Sequence, residues 1–540
     1  MQTRDCHYKN VSSTRRMNCS RTLPKIGLVC RRSLSRSIMS NHYYAIIIGS
    51  GQGGGPLAQA FSNSGKNTAL IESTHVGGTC VNEGCTPTKT MIASGRSAYM
   101  ACGAKSMGIE FKRSSLQLNL ETVRQRKRDI VTSFRGGSEK RIKDTANLDL
   151  IMGKAKFVSS NEVEVTLVES HGTRNLTADK IFINAGCSPA PLSIKDSHVI
   201  EPAALLTSTS IMELDTLPRH LLVIGGGPIG LEFAQLFRRF GAQVTIVQRA
   251  AHLIPNEDAD VSTEMEKILA GDGITLHLGA QAKWFAKVPT GSIVLQITTS
   301  QGETKSIFAS HVLNATGRPP NTADLNLEAA GVKTTVRGHI EVNDHLETSA
   351  PDIYALGDIK GGPAFTHISY DDFRILKHNL ITHTTSAPLS IRDRVIPYCV
   401  FTDPQLGRVG LTEKQARALY PPGSVPNGHD TTSAERDLTP TSENPTAAPS
   451  RIATAAMPMS WVARALELNE TRGVMKAVID KKTDKILGFA CLGYEGGEVM
   501  STVSMAMKGG LTWRDLRDGV FAHPCMAEGL NNLFAQFGDD

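Results

Sequence analysis

The sequence predicts an α/β chain: two doubly wound domains built on parallel sheets, followed by a smaller α+β domain. Two observations carry this. A glycine turn of the form G-x-G-x-x-G occurs twice, each time between a short apolar strand and a helix, and the same interval separates each turn from the end of the next strand. From Arg394 the pattern changes to short strand-like stretches and helices, as expected for an antiparallel sheet with helices packed on it.

The first strand is expected over Tyr44-Ala45-Ile46-Ile47-Ile48. It runs into Gly49-Ser50-Gly51-Gln52-Gly53-Gly54, with a small-residue helix expected from Pro56. Gly49 permits the tight turn, Gly51 lets the backbone approach a pyrophosphate, and Gly54 lets helix and strand pack closely. Free N–H groups at the helix start would hold that anion. A second strand, Thr68 to Ile71, ends in Glu72, placed to accept hydrogen bonds from a ribose diol.

The arrangement then recurs. Leu221 to Ile224 leads into Gly225-Gly226-Gly227-Pro228-Ile229-Gly230 and a helix through Phe237, and the strand Val244 to Val247 ends in Gln248. Gly49 to Glu72 and Gly225 to Gln248 both span 23 positions. One such turn is a weak signal, but two in strand–helix–strand context at equal spacing point to two Rossmann-like domains. Two dinucleotides bound side by side imply electron transfer between cofactors. The acid at Glu72 suits an unphosphorylated ribose, so the first site is read as FAD. Neutral Gln248 followed by Arg249 would tolerate and attract a 2′-phosphate, so the second is read as NADPH, with NADH possible.

Charge and composition narrow the class further. The chain has 540 residues, 40% of them hydrophobic, and a formal net charge of +6. Residues 1–42 hold seven Arg and two Lys against one acid, Asp5, so they carry +8 and the rest of the chain −2. The body therefore presents no basic excess for nucleic acid. No apolar run reaches the ~18–20 residues of a membrane-spanning helix. The Ser- and Arg-rich head has the composition of a mitochondrial presequence, the alternative being an extension on a cytoplasmic protein with its start at Met39. The ten cysteines are scattered except for Cys80 and Cys85, which suits a reducing compartment and a catalytic disulfide.

These two thiols lie in Gly77-Gly78-Thr79-Cys80-Val81-Asn82-Glu83-Gly84-Cys85-Thr86-Pro87-Thr88-Lys89. Pro87 is read as the start of a helix. Thiols at a helix N-terminus have lowered pKa, so a reduced pair there would be reactive. Buried structural cysteines are the plain alternative. Half of a metal site is disfavoured because no second clustered ligand pair completes it, so no metal is expected.

With both glycine turns and this stretch in view, the sequence resembles the pyridine nucleotide–disulfide oxidoreductases, the family of glutathione reductase, dihydrolipoamide dehydrogenase and mercuric reductase. The likeness runs from Tyr44 to the C-terminus. It implies FAD- and NAD(P)-binding domains plus a C-terminal interface domain that forms a homodimer. It implies that Cys80 is the interchange thiol, Cys85 the thiol beside the flavin, and Lys89 with Glu232 an ion pair near the flavin. Ile183-Asn184-Ala185-Gly186 and Asn314-Ala315-Thr316-Gly317-Arg318 resemble the strand ends that close each nucleotide domain, and Gly317 is assigned to the NAD(P) site. Thr348 to Asp358 resembles the second FAD motif, with Asp358 on the ribityl chain or acting as a helix N-cap. The domains are set at 1–41 (presequence), 42–190 and 315–392 (FAD), 191–314 (NAD(P)) and 393–540 (interface).

In the last of these, residues 421–450 hold six prolines among Ser, Thr, Asn and Gly and are read as a disordered insertion. Near the end stands His523-Pro524-Cys525-Met526-Ala527-Glu528. Proline after the histidine is expected to open a helix, and Glu528 lies about one turn on, where a carboxylate would fix the imidazole tautomer. By resemblance, this is an acid–base dyad that serves the other subunit's disulfide. Cys525 stands where the family usually has Thr, and is read as a small packed side chain.

The function expected is transfer of electrons from NAD(P)H through FAD to a Cys80–Cys85 disulfide and on to a small-molecule disulfide or related acceptor. Dihydrolipoamide dehydrogenase and mercuric-ion reductase are the alternatives. Segments such as Gly361 to His367 lean toward mercuric-reductase-like flavoproteins, yet the chain ends Phe537-Gly538-Asp539-Asp540 without a vicinal cysteine pair. Rivals of another class are a non-catalytic flavoprotein subunit or redox-sensing module, and a flavin oxidase or quinone reductase that bypasses the disulfide.

Overall fold

The computed structural model describes residues 41–110, 117–289, 291–382, 387–421 and 450–538. The basic head and the interior of the 421–450 insertion lie outside the described residues.

The first sheet has a parallel core in the order Leu148–Phe157, Thr68–Glu72, His42–Ile48, Thr173–Ile183, Ile353–Ala355. Glu162–Leu167 pairs antiparallel with the C-terminal half of Leu148–Phe157 and the N-terminal half of Thr173–Ile183. Tyr43, Ala45, Ile46 and Ile47 are fully buried in the central strand. Layers cover both faces, which is why this strand reads as a continuous apolar run and not as an alternation. Ile353–Ala355 returns to this sheet from beyond the second nucleotide domain and brings Asp358 to the same edge as the first glycine turn.

The second sheet is wholly parallel: Leu205–Leu206, His311–Asn314, His220–Ile224, Gln243–Val247, Thr275–His277. An antiparallel three-stranded sheet, Gln281–Lys287, Ile293–Thr298 and Thr304–Ala309, follows it in the chain. The C-terminal sheet is antiparallel throughout, in the order Pro397–Val400, Gln405–Gly410, Ile486–Gly493, Val474–Asp480, Ile452–Pro458. Helix Gly496–Lys508 packs so closely on it that a Cβ on Gly407 would lie 2.4 Å from the Gly496 carbonyl oxygen.

The two glycine turns share the conformation of their first glycine, although the second helix starts two positions earlier in the equivalent register, at Pro228. Gly49 and Gly225 have φ of +100° and +113°, a region that favours glycine. A Cβ on Gly49 would sit 2.3 Å from the Asn184 carbonyl oxygen, and one on Gly225 2.4 Å from that of Ala315. Each first glycine is therefore fixed by the closing strand of its own domain.

Several expected boundaries move. The first helix spans Gly54–Asn63, beginning two residues before Pro56, because Gly53 rather than a side-chain-bearing residue takes the N-cap position. The helix after the thiol pair spans Cys85–Gly103, so Pro87 is its third residue and not its first. A proline is accommodated there because the first-turn N–H groups have no partner within the helix. Gln248 falls just beyond its strand, which ends at Val247. Asp358 is not an N-cap: Leu356 holds that position before the short turn Gly357–Lys360. Pro524 opens no helix: a single turn, Met526–Glu528, precedes the helix Gly529–Ala535.

Candidate functional site

The thiol pair sits where the first two domains meet. Cys80 lies within the short helix Gly78–Asn82, and Cys85 is the first residue of the 19-residue helix Cys85–Gly103. Both are free thiols. Asn82 ties the loop between them: its amide donates to the carbonyls of Gly78 (2.9 Å) and Val76 (3.1 Å), and its Oδ1 accepts from Arg135 Nε at 2.6 Å. Glu83 accepts from Thr209 Oγ1 at 3.1 Å, which anchors the loop to the segment leading into the second domain.

The two sulfurs are electrostatically unequal. Cys85 is lowered to about 6 by the hydrogen bond from Cys80, by the Thr366 hydroxyl 3.3 Å from its Sγ, and by Lys89, against the opposing effect of burial. Cys80 is raised by the same shared hydrogen bond and by burial. The lowered pKa therefore belongs to Cys85 alone, where the sequence suggested both thiols. The shared hydrogen bond favours the proton on Cys80 and the negative charge on Cys85.

Lys89 lies one turn along the Cys85 helix. Its Nζ is 2.8 Å from Glu232 Oε2 and 4.8 Å from the centroid of Phe401. Glu232, on helix Pro228–Phe240 of the second domain, also accepts from the Phe401 N–H at 2.9 Å. One buried carboxylate thus joins the thiol helix, the second domain and the C-terminal domain.

The first glycine turn is fixed by Glu72. Its Oε2 accepts from the Ser50 N–H (3.0 Å) and hydroxyl (2.6 Å), and its Oε1 from the Thr74 N–H (2.9 Å). Gly54 N–H is bound by Asn184 Oδ1 at 2.9 Å. Asp358 is raised by burial, and among the described residues no side chain donates a hydrogen bond to its carboxylate. Its neighbour Gly357 is held by Asp372 Oδ2, which accepts its N–H at 2.8 Å, and Asp372 is in turn bound by Arg394 at 2.7 Å. A half-buried acceptor open to incoming donors, on the same sheet edge as a helix start, fits a bound group that brings hydroxyls and a pyrophosphate, as the dinucleotide FAD does.

In the second domain Gln248 Oε1 accepts from the Gly226 N–H (3.2 Å), and its amide donates to the His252 carbonyl (3.4 Å). Arg249 is exposed. A Cβ on Gly227 or on Gly317 would meet nothing within 4 Å, so both face open space, as a nucleotide's backbone approach requires.

The C-terminal pair is formed as expected. His523 Nδ1 lies 3.0 Å from both carboxylate oxygens of Glu528, and the imidazole is exposed. Among the described residues of one chain this pair makes no hydrogen bond to the thiol region. The thiols, Lys89, Glu232 and Thr366 come together in one chain, and the dyad stands apart from them. Thr366, Asn184 and Asp372 are not among the site residues expected from sequence, although Asn184 lies in the Ile183 to Gly186 stretch and Thr366 in the Gly361 to His367 segment; Thr366 is 281 positions from Cys85.

Residues 43–372 match the pyridine nucleotide-disulphide oxidoreductases, and residues 441–534 match that family's dimerisation domain. The chain belongs to this family. A probable pyridine nucleotide-disulfide oxidoreductase, RclA of Escherichia coli (strain K12), is 34% identical over 500 residues, covering 92% of this chain and 99% of the relative. A mercuric reductase of Lysinibacillus sphaericus is 34% identical over 510 residues, covering 93% and 84%. A dihydrolipoyl dehydrogenase of Thermus scotoductus is 31% identical over 490 residues, covering 90% and 96%. The solved structure of the HOCl-induced flavoprotein disulfide reductase RclA from Escherichia coli superposes with a TM-score of 0.75 at 33% identity, covering 91% and 99%. As a pyridine nucleotide-disulphide oxidoreductase, the protein is a flavoprotein enzyme that binds FAD and uses NAD(P)H. No helix among its described residues is long and apolar enough to cross a membrane.

Proposed function

We propose that the protein is a homodimeric, NADPH-preferring disulfide reductase in which Cys80 and Cys85 carry electrons to a small-molecule disulfide. The reading is supported by the unequal thiol pair: Cys85 is lowered by the hydrogen bond from Cys80, by the Thr366 hydroxyl and by Lys89, while Cys80 is raised. When bound, FAD supplies the two-electron exchange between nicotinamide and disulfide.

Because its pKa is raised, Cys80 needs a base before it can attack. His523, exposed and oriented by Glu528, is that base when a second copy of the chain supplies it. Cys80 then attacks one sulfur of the acceptor disulfide. An S–S bond forms to Cys80, the acceptor's own S–S bond breaks, and the leaving thiolate takes the proton from His523. The Cys85 thiolate next attacks Cys80, which restores the Cys80–Cys85 bond and releases the second acceptor half as a thiolate that takes its proton from solvent. The match to a dimerisation domain supports the dimer.

The reading assigns Gly49, Gly51, Gly54, Glu72, Lys89 and Asp358 to FAD, and Gly225, Gly227, Gly230, Glu232, Gln248, Arg249 and Gly317 to NAD(P). It keeps the division at 42–190, 191–314, 315–392 and 393–540. The bacterial relatives favour the cytoplasmic alternative over mitochondrial import, and imaging of residues 1–42 fused to a fluorescent protein tests this.

Replacing Cys80 by Ser should abolish disulfide turnover while NADPH still bleaches the flavin absorbance. Loss of both would overturn the division of labour. Steady-state assays with lipoamide, glutathione disulfide, a model disulfide, quinone and mercuric ion, each with both nicotinamides, identify the acceptor.

A further inference from the structure

Asn184 closes the central part of the first sheet and is 7% exposed. Its amide makes three hydrogen bonds. Oδ1 accepts from the Gly54 N–H at 2.9 Å, and Nδ2 donates to the Leu356 carbonyl at 2.8 Å and to Ser369 Oγ at 3.5 Å. Each partner begins a different part of the flavin site. Gly54 opens the helix that would face the pyrophosphate. Leu356 precedes the turn that carries Asp358. Ser369 lies on helix Thr366–Lys377, whose first residue touches the Cys85 sulfur.

The second domain shows that the fold itself does not require this amide. The packing of Gly49 on Asn184 and of Gly225 on Ala315 makes those two strand-end residues equivalent. Ala315 has only a methyl group, and the second nucleotide domain is built without the clamp. In the first domain Gly53 cannot cap its helix through a side chain, and Asn184 supplies the cap from a strand 130 positions away.

We propose that Asn184 is a positioning residue for FAD: one buried amide that sets the pyrophosphate-facing helix, the Asp358 turn and the Thr366 helix in register. Only an amide supplies the acceptor and both donors in a neutral side chain of this length. This rests on the assignment of FAD to the first domain, which the flavin content of the wild-type protein reports separately.

The test is FAD dissociation from purified holoenzyme, followed by the fluorescence of released flavin, with the long-wavelength absorbance of the two-electron-reduced enzyme as a second readout. For Asn184→Ala the expected result is FAD release faster by about tenfold or more, since buried groups lose their partners, with a weaker long-wavelength band as the Thr366 helix loses its register. Asn184→Asp keeps the shape and separates positioning from folding. Its protonated acid can donate to Leu356 while accepting from Gly54, whereas its carboxylate only accepts. FAD release from that variant should therefore quicken as pH rises, while the wild type stays level. The clamp is overturned if Asn184→Ala keeps wild-type flavin retention and absorbance. It is equally overturned if Asn184→Asp releases FAD at a pH-independent rate. Should Asn184→Ala not fold, the pH profile of Asn184→Asp decides alone.

Discussion

Glu72 and Gln248 do the same work in two halves of one chain: Glu72 Oε2 accepts from the Ser50 N–H at 3.0 Å, and Gln248 Oε1 accepts from the Gly226 N–H at 3.2 Å. The acceptor oxygen that braces each glycine turn is common to both. The charge is not. A carboxylate at Gln248 would repel a 2′-phosphate, and the amide leaves the neighbouring Arg249 free to attract one.

Replacement of Arg249 by Ala should therefore raise KM for NADPH with little effect on NADH. Loss of a charge-assisted hydrogen bond costs about 1.5–3 kcal/mol, or roughly 10–100-fold in the ratio of kcat/KM for the two nicotinamides. Gln248→Glu should act in the same direction while preserving the brace on Gly226. Steady-state kinetics with both cofactors checks this, and an unchanged ratio in both variants would remove the NADPH preference.

The thiol pair makes a pH prediction. Cys85 titrates at about 6 and is a thiolate above that pH. In the reduced enzyme the long-wavelength absorbance of a thiolate beside flavin should be full near neutrality and fade as pH falls through about 6. Thr366→Val removes one of the hydrogen bonds that lower this pKa, and Lys89→Met removes a nearby positive charge. Both should move the midpoint upward, toward the ordinary thiol value. A midpoint that stays put in both variants would show that neither group tunes the thiol.

Much of this was legible in the sequence, and the parts that were not share a cause. Glycine turns and the Cys80–Cys85 stretch are local: their chemistry is written within a few consecutive residues. Thr366 at Cys85, Asn184 at Gly54 and Asp372 at Gly357 are tertiary, and nothing near them in sequence announces their partners. The start of the Cys85 helix was misplaced at Pro87 because proline is tolerated throughout the first turn and does not fix which of its positions comes first. That displacement brings Cys85 into the helix as its first residue, one turn before Lys89.

The Lys89–Glu232 pair joins the thiol helix to the second domain, with Glu232 also holding the Phe401 N–H. Glu232→Gln keeps an acceptor for Phe401 but removes the charge opposite Lys89. Glu232→Ala removes both and strands a backbone donor, at a cost of about 1–3 kcal/mol. Thermal unfolding of the holoenzyme should rank wild type above Glu232→Gln above Glu232→Ala. Equal destabilisation of the two variants would mean that the ion pair, and not the hydrogen bond to Phe401, carries the stability of this junction.

His523 is exposed, and its bonded partner among the described residues is Glu528, at 3.0 Å. If it serves the thiols of a second copy, two inactive variants should complement each other. His523→Ala should lower disulfide turnover by about 10²–10⁴-fold, the usual worth of a positioned proton-transfer group, and Cys80→Ser should abolish it. Glu528→Ala should act in the same sense but less severely, since the imidazole remains. When His523→Ala and Cys80→Ser chains are unfolded together and refolded, mixed dimers contain one site with both an intact Cys80 and an intact His523. Activity should return in the mixture and not in either variant refolded alone. Mixed dimers that form, as tagged copurification would show, yet stay inactive would place His523 and Cys80 in the same chain's site and refute the exchange between copies.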